Sequence, residues 1–395
     1  MKRRRILAVT GCRSDYGPMR PIYRKVAAEP ELDLQLMVTG LHLLPEFRDS
    51  LAEVRSDSFA PSHVVSMLLG EEGGRAMAQG LGLGTYGAAA CIESVAPDIV
   101  LLQGDRGDML ATAIAASHMN VPIVHMSGGD QTGTIDQPIR NAISQFAHVH
   151  LTTCAQSTER LLSMGEGQAR VFQVGEPNLD VIRTMGFEPP EVLATALDLD
   201  FSRPVLLATL HPVTTEFNDA PGQMRNVLDA LDSLAIQTVF TYPNADAGGR
   251  EMMAVLESFR DRPWLRIVPS LGSLRYLSLM RTVSALVGNS SSGLLEAPSF
   301  RLPAVNIGTR QHGRLRASNV IDVGYGVQDI LRGLEVALGG AGFRKELATC
   351  SNPYGDGHAA ERTVRILASL ELSPLLVAKW LPSSEQFVAA GWDEV

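Results

Sequence analysis

The stretch that decides the fold is Asp-Ile-Val-Leu-Leu-Gln at residues 98–103, which lies between Pro97 and Gly104. Successive apolar residues between turn formers are typical of a strand buried on both faces of a parallel sheet. The alanine-rich segment at 108–118 that follows predicts a helix. A buried strand followed by a helix is the repeating unit of parallel α/β folds.

This alternation continues along the chain in two series. The first series predicts further strands at residues 5–10, 32–39, 121–125, 149–152 and 169–174, and helices at 16–28, 136–147 and 157–164. The second series predicts strands at residues 205–209, 237–241, 265–268, 283–287, 304–307 and 320–322. We therefore expect an α/β protein with two doubly wound parallel sheets.

The two series are separated by residues 179–203, which contain two consecutive prolines and a run of small and acidic residues. This composition predicts a linker. The expected domains are residues 1–182 and 200–375, followed by a tail at 376–395. Such sheets bind ligands beyond the carboxyl ends of their strands. We expect the active site in a cleft between the two domains, lined by the loops that follow the strands.

The composition excludes several classes of protein. The 395 residues are 45% hydrophobic and 19% charged, which indicates a globular chain with a large core. A net charge of −9 and an aromatic content of 6% argue against a nucleic-acid-binding protein. Four scattered cysteines without a C-x-x-C pair fit a reducing cytosol, so we expect a cytoplasmic protein. No apolar run approaches the ~18–20 residues of a membrane helix, so no membrane partner is expected.

Polar residues gather in the loops after the first-series strands. The loop Val-Thr-Gly-Cys-Arg-Ser-Asp-Tyr-Gly at 9–17 carries Arg13, which suits a phosphate, although a salt bridge with Asp15 explains the pair equally well. Gln-Gly-Asp-Arg at 103–106 carries Asp105, which is either a helix N-cap or a functional carboxylate.

The glycine-rich loop at 125–136 reads His-Met-Ser-Gly-Gly-Asp-Gln-Thr-Gly-Thr-Ile-Asp. Its acidic residues, Asp130 and Asp136, would repel a phosphate but suit proton transfer. A turn with an N-cap at Asp136 is the alternative interpretation.

The strongest single pattern follows a strand of the second series. Val-Gly-Asn-Ser-Ser-Ser-Gly-Leu-Leu-Glu-Ala-Pro at 287–298 places three hydroxyl residues at a predicted helix start, where backbone N–H groups and the helix dipole favour an anion. Glu296, further along that helix, suits ribose hydroxyls. His211 ends an earlier strand, where it is either a phosphate donor or a structural histidine. Arg310 and Arg314 occupy the loop at 307–314.

Taken together, these segments resemble the hydrolysing UDP-N-acetylglucosamine 2-epimerases of sialic and related nonulosonic acid biosynthesis. The resemblance runs from about residue 5 to about residue 370 in the family's order and spacing. It rests on the segments at 9–17, 103–106, 133–140, 210–215, 288–296, 306–314 and 352–357.

The resemblance implies the GT-B architecture of two Rossmann-like domains, with UDP held mainly by the second. It implies that Asp105 and Asp136 are the acid/base carboxylates. Many family members carry Glu where this chain has Ser127, so Asp130 becomes the local candidate for the second proton transfer. His211 is implied as a catalytic or leaving-group contact.

The resemblance also implies a substrate-binding set for the nucleotide and the sugar, which we expect to comprise Arg13, Asp15, His42, Ser127, Asn244, Ser290, Ser291, Ser292, Gly293, Glu296, Arg310 and Arg314. No metal and no cofactor are expected. The expected ligand is a nucleotide sugar, and the expected assembly is a homodimer or a homotetramer.

The implied reaction converts UDP-N-acetylglucosamine and water into N-acetylmannosamine and UDP, through elimination to 2-acetamidoglucal. Relatives acting on UDP- or GDP-linked 2,4-diacetamido-2,4,6-trideoxyglucose share most of these segments, so that substrate is an alternative. A non-catalytic nucleotide-sugar-binding protein is the alternative from another class.

Overall fold

A computed structural model describes residues 3–44, 48–57, 59, 61–69, 73–131, 136–244 and 246–379. The chain forms two compact units. Unit 1 comprises Met1–Arg183 together with Tyr354–Val395, and unit 2 comprises Thr184–Pro353. Each unit is built on one parallel sheet, so the predicted α/β class with two doubly wound parallel sheets is confirmed.

Unit 1 contains the strands β1 (Arg4–Thr10), β2 (Leu32–Thr39), β3 (His63–Val65), β4 (Ile99–Gln103), β5 (Ile123–Met126), β6 (Val149–Thr152) and β7 (Val171–Gln173). Their order in the sheet is β3-β2-β1-β4-β5-β6-β7. The helices are α1 (Arg13–Ala28), α2 (Arg48–Ser56), α3 (Gly74–Val95), α4 (Gly107–His118), α5 (Asp136–Phe146), α6 (Ala155–Ser163) and α7 (Asn178–Thr184).

The strand β1 explains why the sheet of unit 1 is covered on both faces. Ile6 and Ala8 pack into one apolar core, whereas Leu7 and Val9 pack into the other. Successive side chains of a strand point to opposite faces, so uninterrupted apolar residues require helices on both sides.

Unit 2 contains the strands β8 (Val205–Thr209), β9 (Gln237–Thr241), β10 (Leu265–Val268), β11 (Ala285–Gly288), β12 (Ala304–Ile307) and β13 (Val320–Val323). Their order is β10-β9-β8-β11-β12-β13. The helices are α8 (Pro190–Leu197), α9 (Ala220–Leu234), α10 (Gly249–Glu257), α11 (Gly272–Thr282), α12 (Ser292–Leu295), α13 (Val327–Gly339) and α14 (Ala341–Ala348).

The chain returns to unit 1 at its end, through α15 (Ala359–Ser369) and α16 (Pro374–Ala378). Val364 and Leu367 of α15 belong to the same apolar core as Ile6. The second compact unit therefore ends at Pro353, whereas the sequence analysis extended it to residue 375.

The predicted linker at 179–203 is also different in the structure, because α7 and α8 occupy much of it. Pro190 is the first residue of α8, where its missing N–H costs nothing, and Leu193 and Leu197 are buried. The proline pair therefore starts a helix. Sequence reasoning missed β3 and α3, and residues 380–395 of the predicted tail lie outside the described residues.

No helix in the described ranges combines the length and the apolar character needed to cross a membrane.

Candidate active site

The loop after β1 is organised by the buried carboxylate of Asp15, which is 3% exposed. Its Oδ2 accepts hydrogen bonds from the backbone N–H groups of Gly11 at 3.1 Å and Cys12 at 2.9 Å, and its Oδ1 accepts one from Thr10. Burial, together with the charge of Asp108, raises the pKa of Asp15 to about 6. This buried carboxylate thus fixes the backbone of the loop that leads into α1.

Arg13 and His42 have different surroundings. The Arg13 side chain is 61% exposed and lies 3.6 Å from Glu53, so the alternative salt bridge with Asp15 is wrong. His42 is buried, with its Nε2 3.0 Å from Thr10 Oγ1 and its Nδ1 3.0 Å from Ser50 Oγ. We therefore place His42 and Asp15 behind the loop, as its supports, and Arg13 at the surface.

Sequence reasoning missed Asp108, in the first turn of α4. Its carboxylate is so close to two loops that a Cβ on Gly11 would lie 1.5 Å from Asp108 Oδ2, and one on Gly40 would lie 2.8 Å away. Both positions therefore need glycine. Burial raises the pKa of Asp108, which adds a second protonatable group beside Asp15.

Asp105 follows β4 directly but does not cap α4, whose N-cap residue is Arg106, so the N-cap interpretation is wrong. Its Oδ2 instead accepts a hydrogen bond from Arg140, a buried side chain of α5. The second amino group of Arg140 donates to the Ser127 carbonyl at 2.6 Å. Sequence reasoning missed Arg140 as a site residue, although it ends the quoted segment at 133–140.

Asp136 is the first residue of α5, and its charge reaches Asp105. Burial raises the pKa of Asp105, the cation of Arg140 opposes that rise, and the anion of Asp136 adds to it. A carboxyl group whose pKa is raised by burial and by a neighbouring acid is the arrangement that acid/base chemistry uses. Residues 132–135 of the glycine-rich loop lie outside the described residues.

Asp130 lies elsewhere in that loop. Its Oδ1 accepts hydrogen bonds from Thr153 Oγ1 at 2.7 Å and Ser157 Oγ at 2.6 Å, which tie the loop to the start of α6. Ser127 has a φ of +64°, in the left-handed region that few L-residues adopt, and is 5% exposed. These hydrogen bonds show that Asp130 supports the loop, and its place among the catalytic groups stays a prediction.

The serine segment of unit 2 differs from its prediction in one respect. The helix that it opens, α12, has only four residues and ends at Leu295, so Glu296 lies beyond it and little helix dipole is available. Ser290 Oγ accepts the Ser292 N–H at 3.3 Å. In the described ranges, the backbone N–H groups of Ser290 and Ser291 donate to no protein acceptor, so both donors remain available to an anion.

Asn289, which sequence reasoning missed, connects three loops of unit 2. Its side chain accepts the His211 N–H at 2.7 Å and donates to the His211 carbonyl at 2.8 Å. Its own carbonyl accepts from Arg310 Nη1 at 3.2 Å and from Gln311 Nε2 at 2.8 Å. The signal was present, since Asn289 directly precedes the three serines.

His211 is a neutral hydrogen-bond donor. Burial and the charge of Arg310 lower its pKa to about 3. Its Nδ1 accepts the Asn244 N–H at 3.0 Å, so the single ring proton must be on Nε2. A neutral ring with an Nε2–H can donate a hydrogen bond to a developing phosphate anion, and the expected catalytic role of His211 stays a prediction.

Arg310 and Arg314 provide positive charge near this ring. Burial, followed by the like charge of Arg314, lowers the pKa of Arg310. Thr309 beside Arg310 donates to Glu216, and Tyr325 donates to the same carboxylate at 2.8 Å. Glu216, which sequence reasoning also missed, thereby anchors the arginine loop.

Glu296 and Tyr276 lie close to the serine segment of unit 2. Glu296 is 8% exposed, and Gly293 packs its Cα against β12, where a Cβ would lie 3.2 Å from Ala304. The Tyr276 hydroxyl is buried beside Ser290, Ser292 and Glu296. Sequence reasoning did not identify Tyr276, because its helix α11 precedes the serine motif by a whole strand.

Among the described residues, no three His, Cys, Asp or Glu side chains converge where they could hold a metal ion.

The chain is similar to known proteins over most of its length. A family model described as UDP-N-acetylglucosamine 2-epimerase matches residues 24–368. A hydrolysing UDP-N,N'-diacetylbacillosamine 2-epimerase of Legionella pneumophila is 36% identical, over 95% of this chain and 98% of that protein. A hydrolysing GDP/UDP-N,N'-diacetylbacillosamine 2-epimerase of Campylobacter jejuni is 33% identical, over 82% and 85%. A UDP-N-acetylglucosamine 2-epimerase of Neisseria meningitidis is 29% identical, over 85% and 87%.

Solved structures resemble the chain over both units. The UDP-GlcNAc 2-epimerase of Neisseria meningitidis bound to UDP-GlcNAc has a TM-score of 0.77 at 19% identity, covering 92% of this chain and 99% of that one. The enzyme of Methanocaldococcus jannaschii in complex with UDP-GlcNAc and UDP has a TM-score of 0.73 at 17% identity, with the same coverage. At these identities the likeness shows the fold, and it confirms the expected GT-B class. The family model and the relatives lead to one conclusion: the chain belongs to the UDP-N-acetylglucosamine 2-epimerase family.

Proposed function

We propose that this protein is a hydrolysing nucleotide-sugar 2-epimerase that acts on a UDP-linked 2,4-diacetamido-2,4,6-trideoxyhexose, the sugar of N,N'-diacetylbacillosamine. The observation that carries the proposal is the carboxylate of Asp105, which is held by Arg140 and exposed to the charge of Asp136. The choice of sugar is supported by the 36% and 33% identical relatives, whose names specify diacetylbacillosamine.

The chemistry requires inversion at C2, where the proton is only weakly acidic. Cleavage of the bond between C1 and the diphosphate oxygen makes C1 cationic, and this acidifies the C2 proton. A carboxylate removes that proton, which gives a 2-acetamidoglycal and UDP. Water then adds its oxygen at C1 and a proton at the opposite face of C2, and the product is the free 2-epimeric sugar.

Unit 1 supplies the proton-transfer groups in this proposal. A carboxyl group with a raised pKa changes its protonation state more easily near neutral pH than an ordinary aspartate. Asp105 has that property, and Asp136 is the second acid close enough to affect it. We assign the two proton steps to these residues, with Asp130 as a support of the loop between them.

Unit 2 supplies the donors for the diphosphate. We assign the N–H groups and hydroxyls of Ser290 and Ser291, the Nε2–H of His211 and the cation of Arg310 to the leaving group, because fixed donors stabilise charge as it develops. Glu296 is assigned to the ribose hydroxyls and Asn244 to the nucleotide. We also assign Arg13, whose side chain is 61% exposed on unit 1, to the diphosphate.

The test is a comparison of four substrates: UDP- and GDP-linked N,N'-diacetylbacillosamine, UDP-N-acetylglucosamine and its GDP-linked counterpart. We expect the fastest release of free UDP from the diacetylated UDP sugar. NMR of the product formed in D₂O should show one solvent deuterium at C2.

Each other outcome identifies a different function. Faster turnover of UDP-N-acetylglucosamine would indicate the substrate named for the 29% identical relative. Epimerisation without free UDP would indicate a non-hydrolysing enzyme. Binding without turnover of any substrate would indicate a nucleotide-sugar-binding protein, and a product that retains its original C2 hydrogen would refute the proton-transfer mechanism.

A further inference from the structure

We propose that His125 is a positioning residue for Asp105, which it fixes through a hydrogen bond from its Nε2–H to the carbonyl of Gly104. The inference rests on the proposed function, because it takes Asp105 as the proton-transfer group. His125 lies in β5 and is completely buried, so it does not itself reach a substrate.

The contact is short, and it acts where β4 ends. His125 Nε2 lies 2.7 Å from the Gly104 carbonyl oxygen. The Gly104 N–H donates to the Met126 carbonyl at 3.0 Å, so β5 holds both polar groups of this one residue. Gly104 has a φ of +81°, which turns the chain sharply after the strand.

Fixing the Gly104 carbonyl fixes Asp105 because a peptide bond is planar. The carbonyl oxygen of Gly104 shares one plane with the backbone nitrogen and the Cα of Asp105. His125 therefore sets the orientation from which the Asp105 side chain leaves the backbone. Arg140 holds the other end of that side chain, at the carboxylate. Asp105 is thus held at both ends.

The hydrogen-bond partners determine the tautomer of His125. A carbonyl oxygen only accepts, so Nε2 carries the proton. Nδ1 then accepts from Ser144 Oγ, 3.1 Å away on α5. Burial above all, together with nearby positive charges including Arg140, lowers the pKa of His125 to about 3, so the ring stays neutral and keeps this arrangement.

The His125 ring also packs against Gly128 in the glycine-rich loop. A Cβ on Gly128 would lie 3.1 Å from both His125 Nδ1 and Ser144 Oγ. The other residues of β5, Ile123, Val124 and Met126, are apolar and fully buried. An apolar residue at position 125 would fill the core equally well but would leave the Gly104 carbonyl without its donor. The need for a donor at this one point accounts for the histidine.

Two variants distinguish the effect of losing the hydrogen bond from the effect of losing the imidazole ring. In His125→Gln the amide nitrogen is as many bonds from Cβ as Nε2 is, so it can donate to Gly104. In His125→Asn the amide nitrogen is one bond shorter and corresponds to Nδ1, so it cannot. We measure kcat, KM, UDP affinity by calorimetry, and hydrogen–deuterium exchange of a peptide spanning residues 103–108. His118→Asn, at an exposed histidine, is the matched control.

We expect His125→Asn to lower kcat by about tenfold to a hundredfold, with UDP affinity unchanged, because a displaced reacting group costs rate rather than binding. Amide exchange in the 103–108 peptide should accelerate. His125→Gln should restore most of the rate and of the protection. The proposal is overturned if His125→Asn retains full kcat and protection, or if His125→Gln loses as much as His125→Asn.

If the two His125 variants do not fold, a variant of Ser144 provides the test. Ser144→Ala removes only the partner of Nδ1 and should lower kcat by about threefold, with a smaller gain in exchange. Unchanged kcat and exchange in that variant would count against the proposal. A wild type that turns over no nucleotide sugar would contradict the proposed function, whereas the exchange data would still report whether His125 holds the Asp105 loop.

Discussion

The two units position their site loops by different physical means. In unit 1 the loops are held by buried charged groups, with Asp105 on Arg140 and Asp15 on backbone N–H groups. In unit 2 the neutral amide of Asn289 and the neutral ring of His211 join three loops. The carboxylate of Glu216 anchors the arginine loop through its hydrogen bonds with Thr309 and Tyr325.

This difference follows from what each unit is proposed to do. Burying a carboxylate raises its pKa, and a group that gains and loses protons near neutral pH needs such a shift. Binding an anion needs fixed N–H donors and cations whose protonation does not change. In unit 1 burial raises the pKa values of Asp15 and Asp105, whereas the donors assigned in unit 2 are N–H groups, hydroxyls and the guanidinium of Arg310. Four experiments test the contrast.

The largest expected effect is on the chemical step. Asp105→Asn removes the proton-carrying group but keeps its shape, so kcat should fall by ~10²-fold or more while UDP affinity stays within about threefold. Asp136→Asn should behave in the same way. Steady-state kinetics and calorimetry measure the two quantities. The control is Asp33→Asn, at an aspartate of β2 that pairs with Arg5. This variant should leave kcat and UDP affinity unchanged. Full activity in Asp105→Asn would contradict the assignment.

The second effect is on stability. Asp15 has a folded pKa of about 6 against an ordinary value of 3.8, so the native state binds more protons than the unfolded state between these values. The free energy of unfolding should therefore fall as pH rises from about 4 to about 6, by up to ~3 kcal/mol for this group. Asp15→Asn should remove that slope, which Tm values at pH ~4.5 and ~7 would reveal.

The control for the pH experiment is Asp356→Asn. The hydrogen bond from Arg362 holds the pKa of Asp356 well below its ordinary value. Its contribution to stability is complete above the ordinary pKa and is lost only at lower pH. The difference in Tm between wild type and this variant should therefore be the same at both pH values. An Asp15→Asn variant with the wild-type pH slope would show that burial of this carboxylate has no energetic cost.

The third effect is on binding by unit 2. Ser290→Ala combined with Ser291→Ala should weaken UDP binding by at least about tenfold, because the loss of even one hydrogen bond to a charged group removes ~1.5–3 kcal/mol. Because these hydroxyls are also assigned to the charge that develops on the leaving diphosphate, kcat should fall as well, but by less than in Asp105→Asn. Ser258→Ala, at an exposed helix end, is the matched control. Unchanged UDP affinity in the double variant would refute the assignment of the serines.

The smallest effect concerns the anchor of the arginine loop. Tyr325→Phe removes the hydroxyl that donates to Glu216 at 2.8 Å but keeps the ring that packs against Gly308. We expect UDP affinity to fall about threefold, as for the loss of one hydrogen bond. Tyr242→Phe removes a comparable hydroxyl from Glu257 in the same unit, and should have no effect. An equal loss in both variants would show that the effect is not specific to the loop.

The chain itself contains enough local information for most of the fold. Uninterrupted apolar strands such as β1 and β4 have a pattern that depends only on neighbouring residues, and they were predicted almost to the residue. The strand β3 was not predicted because it has only three residues, too few to show a strand periodicity. The helix α3 was not predicted because a propensity argument counts its glycines as breaks, although two of them, Gly80 and Gly84, are buried in the packed helix.

The sequence by itself determined the fold class, the family and the segments that carry the site, because strand periodicity and motif spacing are properties of adjacent residues. Only the tertiary structure decided which groups act together. Arg140 is 35 residues from Asp105, and Asn289 is 78 residues from His211. It also decided that α15 returns to the core of unit 1. Burial and electrostatic coupling depend on distance in space, and the pKa values of the carboxylates arise from those two quantities.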